Sequence, residues 1–239
     1  MTGRPISSVA AFATGLKAAS RLVFIYVLFG TFIGYGALCH DLGFSLAWGL
    51  ASTILVWAGP AQVIVVTALG SGMSAGEAAV AVTLSGIRLL PMVAVLLPII
   101  RTPTTRFWQL LLPAHLTAVS TWVESLRSAP HLPRERRIAF CNGLGTGMMA
   151  PALVATVLGF TLAQRLPSLF AAALLFLTPM SFLISVVRNS RELVDRLAFG
   201  LGLVLTPVFA LAKFDLALLI GGVLAGTVAF VVNRLRESR

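Results

Sequence analysis

Charge is what this sequence has least of. Eight Asp and Glu stand against eighteen Lys and Arg, and all four types together make up 11% of 239 residues. Soluble domains carry about 25% charged residues. A chain that is also 58% hydrophobic, with a mean hydropathy of +0.95, lacks the polar surface of a water-soluble fold. Cysteines number two, Cys39 and Cys141, too few and too far apart for a metal site, and the spans derived below put them near opposite membrane faces, where they do not pair. No Gly-x-Ser-x-Gly elbow, His-Glu-x-x-His or Walker loop occurs, so an enzyme has no visible chemistry here, and neither metal nor cofactor is expected. Stacking aromatics do not interleave with the basic residues, so the net charge of +10 excludes a nucleic-acid reading and points to anionic lipid headgroups at the cytoplasmic face.

What is present is long apolar segments. In hydrocarbon every backbone polar group needs an internal partner, and uninterrupted apolar runs without period-two alternation select helices over a barrel. The expected fold is all-α: one polytopic transmembrane domain over 1–239 with proline-broken helices. A cytoplasmic segment (1–21) leads into a first half (22–126) and a second half (138–233). Spans are predicted at 22–39, 43–69, 78–100, 107–126, 138–163, 166–187, 197–212 and 215–233; the seventh is short, which leaves seven as the alternative to eight. The first run exceeds a signal-peptide core of about 7 to 15 residues and no Ala-x-Ala follows, so it reads as a retained span. With the N-terminus inside, thirteen Lys and Arg fall on the inner side and four, Arg101, Arg106, Arg165 and Lys213, on the outer, which puts both termini in the cytoplasm. A faint repeat relates Leu46–Pro60 with Pro91 to Pro167–Pro179 with Pro207, its halves running parallel.

Several residues break membrane rules. Pro60 lacks an N–H and opposes the carbonyl of Val56, Gly59 tolerates the distorted backbone, and Gln62 adds donors and an acceptor at the break. Opened backbone at depth can coordinate a substrate; a simple kink held by neighbouring helices is the alternative. Arg88 lies centrally in the third span on a face with Ser85, beside Pro91, where a guanidinium either receives a carboxylate or pins two helices through carbonyls. Thr121 and Glu124 form a polar stripe running inward from His115, a candidate proton path; equally, Glu124 can pair with Arg127 at i+3 and His115 can be a neutral, hydrogen-bonded histidine. Gly30 with Gly34, Gly143 with Gly147, and Gly222 with Gly226 read as helix-packing seams. Glu192 and Asp195 sit among three arginines in what reads as a solvated loop.

At Ala58-Gly59-Pro60-Ala61-Gln62, followed by Ser85-Gly86-Ile87-Arg88, the chain resembles the AzlC family, the large subunit of branched-chain amino acid exporters. The resemblance implies a transporter in the bacterial cytoplasmic membrane that exports branched-chain or related small amino acids. It also implies proton coupling and a small multi-span AzlD-type partner subunit, with Gln62 and Arg88 at the positions of the family motif. The chain departs from that pattern at Gly86, where the family often has Asn, and its Thr-Asp-Glu is reduced to Thr121 and Glu124. A second reading, a membrane assembly or regulatory subunit with no pathway of its own, stays open at this level.

Overall fold

The computed structural model describes residues 7–87, 89–165, 167–189, 193–212 and 217–237. Every regular element among them is helical: α1 (Ser8–Arg21), α2 (Phe24–Asp41), α3 (Leu46–Leu55), α4 (Gly59–Gly70), α5 (Ala75–Gly86), α6 (Leu89–Ile100), α7 (Phe107–His115), α8 (Val119–Ser128), α9 (Arg134–Leu162), α10 (Ser168–Asn189), α11 (Leu193–Leu211) and α12 (Ala217–Glu237). The chain packs as two units, Met1–Thr178 and Pro179–Arg239.

The long helix α9 is the axis of the first unit; its 29 residues reach about 43 Å at 1.5 Å per residue. Residues 1–21 were expected only as a segment ahead of the first span, but Ser7 caps a helix there, and Ala11, Gly15 and Ala19 bury one small-residue stripe. That stripe lies on α9: Phe12 backbone meets Gly143, Gly15 meets Phe140 and Leu144, and Ala19 meets Gly147. Farther along, Ile33 backbone meets Gly159, and Gly36 meets Thr156 and Phe160. Both sets advance together, so α1 and α2 follow α9 in the same direction. Their starts share one face, where Arg136 donates to the Ser8 hydroxyl. Their ends share the other, where the His40 and Phe160 rings meet edge to face at 5.3 Å. We call these the near and far faces.

Residues 43–69, expected as one span, fold back on themselves. A Cβ on Gly49 of α3 would lie 3.6 Å from Cys39 and Thr156, and one on Gly70 at the end of α4 would lie 3.1 Å from Leu42, so the hairpin enters and leaves at the far face. Its turn, 56–58, reaches the middle of α2, where the Trp57 and Phe32 rings stack at 6.0 Å. Ten and twelve residues make helices of about 15 and 18 Å, half of a hydrocarbon layer of about 30 Å. After a tight turn with Gly72 at φ +86°, α5 starts at the far face behind a Ser74–Glu77 capping box. Together α5 and α6, bent by 53°, cross to the near face, where the Ile99 carbonyl accepts from Arg137 Nη1 at 2.7 Å.

The expected span 107–126 is also a hairpin. Arg137 donates to the carbonyls of Leu132 and Pro130 at 3.0 and 3.1 Å as well as to Ile99, and Arg101, Phe107 and Arg134 line one pocket, so both ends of the α7–α8 pair lie at the near face. Its tip, Leu116, packs on Gly145, twelfth of the 29 residues of α9. Two corrections follow. The eight-span map loses 43–69 and 107–126 as crossings, because each pair of half-length helices returns to the face it starts from. Arg101 and Arg106 move from the outer side to the face that carries Arg134, Arg136 and Arg137. A long or bent helical element followed by a hairpin occurs at 24–70 and again, running in the opposite sense, at 75–128.

Among the described residues, α2 and α9 are each long and apolar enough to cross a membrane, and the bent α5–α6 pair passes the same test if its two helices form one span. Large apolar side chains such as Val23, Leu90 and Val154 are exposed, as lipid contact requires and water does not favour. The chain is a helical membrane protein. In the second unit α11 and α12 pack closely: a Cβ on Gly221 would lie 2.7 Å from the Thr206 hydroxyl. A Cβ at Gly222 or Gly226 would meet nothing within 4 Å among the described residues, so the expected seam is displaced to Gly221, about 100° round the helix from Gly222.

Candidate functional site where two hairpins meet

At the first tip α3 stops at Leu55 and α4 begins at Gly59. The last carbonyls of a helix have no partner within it, and here Gln62 supplies one. Its side chain is fully buried, and Nε2 donates to Val56 O at 2.5 Å and to Ser52 O at 3.2 Å. Pro60 therefore opens α4, where a missing N–H does no harm, and the carbonyl it leaves free is held by Gln62. The donors of Gln62 secure the break; its buried Oε1 has no partner among the described residues, nor has the buried Trp57 Nε1. A Cβ at Gly59 would meet nothing within 4 Å, so the start of α4 faces open space. Behind this tip the Tyr35 hydroxyl meets Ser52 Oγ at 2.5 Å, and Ser52 Oγ donates to Gly49 O.

At the second tip, α7 ends with His115 and α8 begins at Val119. His115 Nε2 lies 2.6 Å from Ile54 O, the carbonyl one residue before the end of α3. This bond ties a hairpin entering from one face to a hairpin entering from the other. Thr121 is buried and spent on its own helix: its Oγ1 accepts from Ala118 N at 2.7 Å and lies 2.9 Å from Ala118 O. Glu124 accepts from Ser128 Oγ at 2.5 Å, and no ion pair joins it to Arg127 among the described residues. The structure thus brings His115, from the predicted stripe, to the first tip. Thr121 caps a helix, and Glu124 lies farther along α8 toward the near face.

Of the remaining predicted residues, Ser85 is half-buried in the last turn of α5, and Arg88 lies outside the described residues. Gly30 faces Leu177 of α10, where a Cβ would come within 2.7 Å of the leucine, and Gly34 is buried in α2. Gly143 and Gly147 face α1. Sequence reasoning missed Trp57, Trp122 and Asn142, each with a buried polar atom that lacks a partner among the described residues. Trp and Asn within an apolar run carry no distinctive spacing, so only burial identifies them.

Electrically, the two tips are complementary. Helix N-termini carry about half a positive charge and C-termini about half a negative charge. At mid-depth α4 and α8 present N-termini and α3 and α7 present C-termini. A small zwitterion is matched by such a set, its carboxylate toward N–H groups and its ammonium toward carbonyls. Among the described residues no cluster of His, Cys, Asp and Glu could hold a metal ion. A family model described as AzlC protein matches residues 22–166, a stretch that contains both hairpins and α9. No curated protein and no solved structure matches the chain.

Proposed function

The chain belongs to the AzlC family, whose model covers more than half of its length, and from that membership we propose that it is the solute-conducting subunit of a secondary exporter of branched-chain or related small amino acids. The family is associated with branched-chain amino acid transport. The observation that carries the reading is the contact of two hairpins from opposite faces, His115 Nε2 to Ile54 O at 2.6 Å. Discontinuous helices that end at mid-depth offer backbone charge to a substrate without a charged cage. In this reading the carboxylate is received by the N-termini of α4 and α8 and by Arg88, which the sequence places between α5 and α6. The ammonium faces the carbonyl ends of α3 and α7 and the free Gln62 Oε1, and the aliphatic side chain rests against Trp57. Separation of the tips opens the path, and His115 is the group that carries the coupled proton.

The near face, with Arg101, Arg106, Arg134, Arg136 and Arg137 against Arg165 at the far end of α9, is the cytoplasmic one by the positive-inside rule. With α10, α11 and α12 at 22, 19 and 21 residues, each long enough to cross once, the chain crosses a bacterial inner membrane six times and keeps both termini in the cytoplasm. A small AzlD-type subunit completes the transporter.

Efflux of leucine, isoleucine and valine from loaded cells, with and without the small subunit, tests this. Export is expected only with both chains present. Loss of an arginine–carboxylate interaction, about 1.5 to 3 kcal/mol, makes Arg88→Ala raise the apparent KM about ten- to a hundredfold. A pair that inserts normally and exports none of the three would favour an assembly subunit, and wild-type kinetics for Arg88→Ala would remove the arginine from the site.

A further inference from the structure

The near face holds a pocket of about 550 Å³ between the α6–α7 connection and the start of α9, lined by Arg101, Thr102, Thr105 and Arg134 on a floor that includes Pro98 and Leu110. No carboxylate lines it, and among the described residues neither arginine has an acidic partner. Two guanidiniums that line one pocket without a counter-charge repel each other, and an anion between them turns that repulsion into attraction. Guanidinium forks match the oxygens of a phosphate in particular.

The backbone adds to the positive field. Two helices of nine and 29 residues, α7 and α9, begin at this pocket, and helix N-termini favour phosphate. Thr102 and Thr105 are pre-ordered: Thr105 Oγ1 accepts from Thr102 N at 2.8 Å and lies 2.9 Å from Thr102 Oγ1. The pocket walls are tied together by Arg137, whose guanidinium donates to Ile99, Pro130 and Leu132 carbonyls. With only neutral partners among the described residues, Arg137 adds a third positive charge nearby.

Position selects the ligand. At the pocket's edge Phe107 and Trp108 are 67% and 76% exposed, their rings edge to face at 5.7 Å, and the indole of Trp108 is the amphipathic ring that settles at headgroup level. A soluble phosphate would have no use for an apolar floor beneath the arginines. We infer that this pocket binds the phosphodiester of an anionic phospholipid of the near leaflet, with Arg101 and Arg134 on the phosphate and the upper acyl chain along Leu110 and Phe107. The site is independent of what the protein transports.

Native mass spectrometry of the purified full chain, delipidated and then supplied with phosphatidylglycerol, phosphatidylcholine or inorganic phosphate, tests the assignment. Wild-type protein and the far-face variant Arg165→Gln are expected to retain phosphatidylglycerol in preference to phosphatidylcholine. The double variant Arg101→Gln/Arg134→Gln, short of two charge-assisted contacts, is expected to retain it at least about tenfold less. Equal retention by the double variant, equal retention of the zwitterionic lipid, or displacement of the lipid by millimolar inorganic phosphate would each overturn the proposal. If the double variant does not yield folded protein, Arg134→Lys keeps the charge without the fork and is expected to lower retention alone; unchanged retention then counts against the site.

Discussion

Gln62 has two polar ends with different tasks. Its amide nitrogen replaces the hydrogen bonds that α3 cannot complete, while its oxygen is left buried and unpartnered among the described residues. Leaving a buried carbonyl unsatisfied costs about 1 to 3 kcal/mol. Gln62→Leu removes both donors and is therefore expected to lower the thermal stability of the detergent-purified protein, and Gln62→Met to match it, since a thioether cannot donate. Unfolding curves for both that coincide with wild type would show that the break is held by other means. The sequence made Gln62 conspicuous because an amide beside Gly59 and Pro60 is rare in an apolar run. It left open which end of the amide was occupied, because that depends on where the carbonyls of residues 52 and 56 point. His115 was less legible still. Its partner lies 61 residues away, and no local spacing foretells such a contact.

Helix-to-helix contact is decided by small residues, and the decisive ones are only partly those with the expected spacing. The backbone carbonyls of Phe12 and Ile33 approach Gly143 and Gly159 so closely that no Cβ fits without moving a helix. Overpacking of this kind typically costs about 1 to 3 kcal/mol. Gly159→Val is accordingly expected to reduce folded yield and melting temperature, whereas Gly222→Val, with open space at its position, should stay within about 0.5 kcal/mol of wild type. A reversal of that order in thermal-shift measurements would mean that α2 and α9 are not in contact at this seam. Small residues of α1, Ala11, Gly15 and Ala19, form an equally good stripe. Lys17 hid it from a reading that sought uninterrupted apolar runs.

For the molecule as a whole, the two folded-back segments change which loops share a side. Single cysteines introduced at Thr104 and His131, in a background with Cys39 and Cys141 replaced, are expected to react with a membrane-impermeant thiol reagent from the same side. A cysteine at Gly72 should react only from the opposite side. Labelling of positions 104 and 131 from opposite sides would restore a crossing at 107–126 and remove the inverted arrangement. That arrangement also strengthens the charge asymmetry on which orientation rests, because Arg101 and Arg106 join the basic face.

The sequence alone determined that the chain is helical and lies in a membrane, since 11% charge and long apolar runs permit nothing else. It also marked residues 58–62 as a break, through the chemistry of Gly and Pro. It did not decide whether a broken segment continues across the membrane or returns, because both alternatives have the same hydropathy and the same proline. Only the tertiary contacts settle this: Gly70 lies against Leu42, Arg137 holds the Ile99 and Pro130 carbonyls together, and His115 reaches Ile54. Each joins residues distant in the chain, and direction in a membrane is fixed by such contacts.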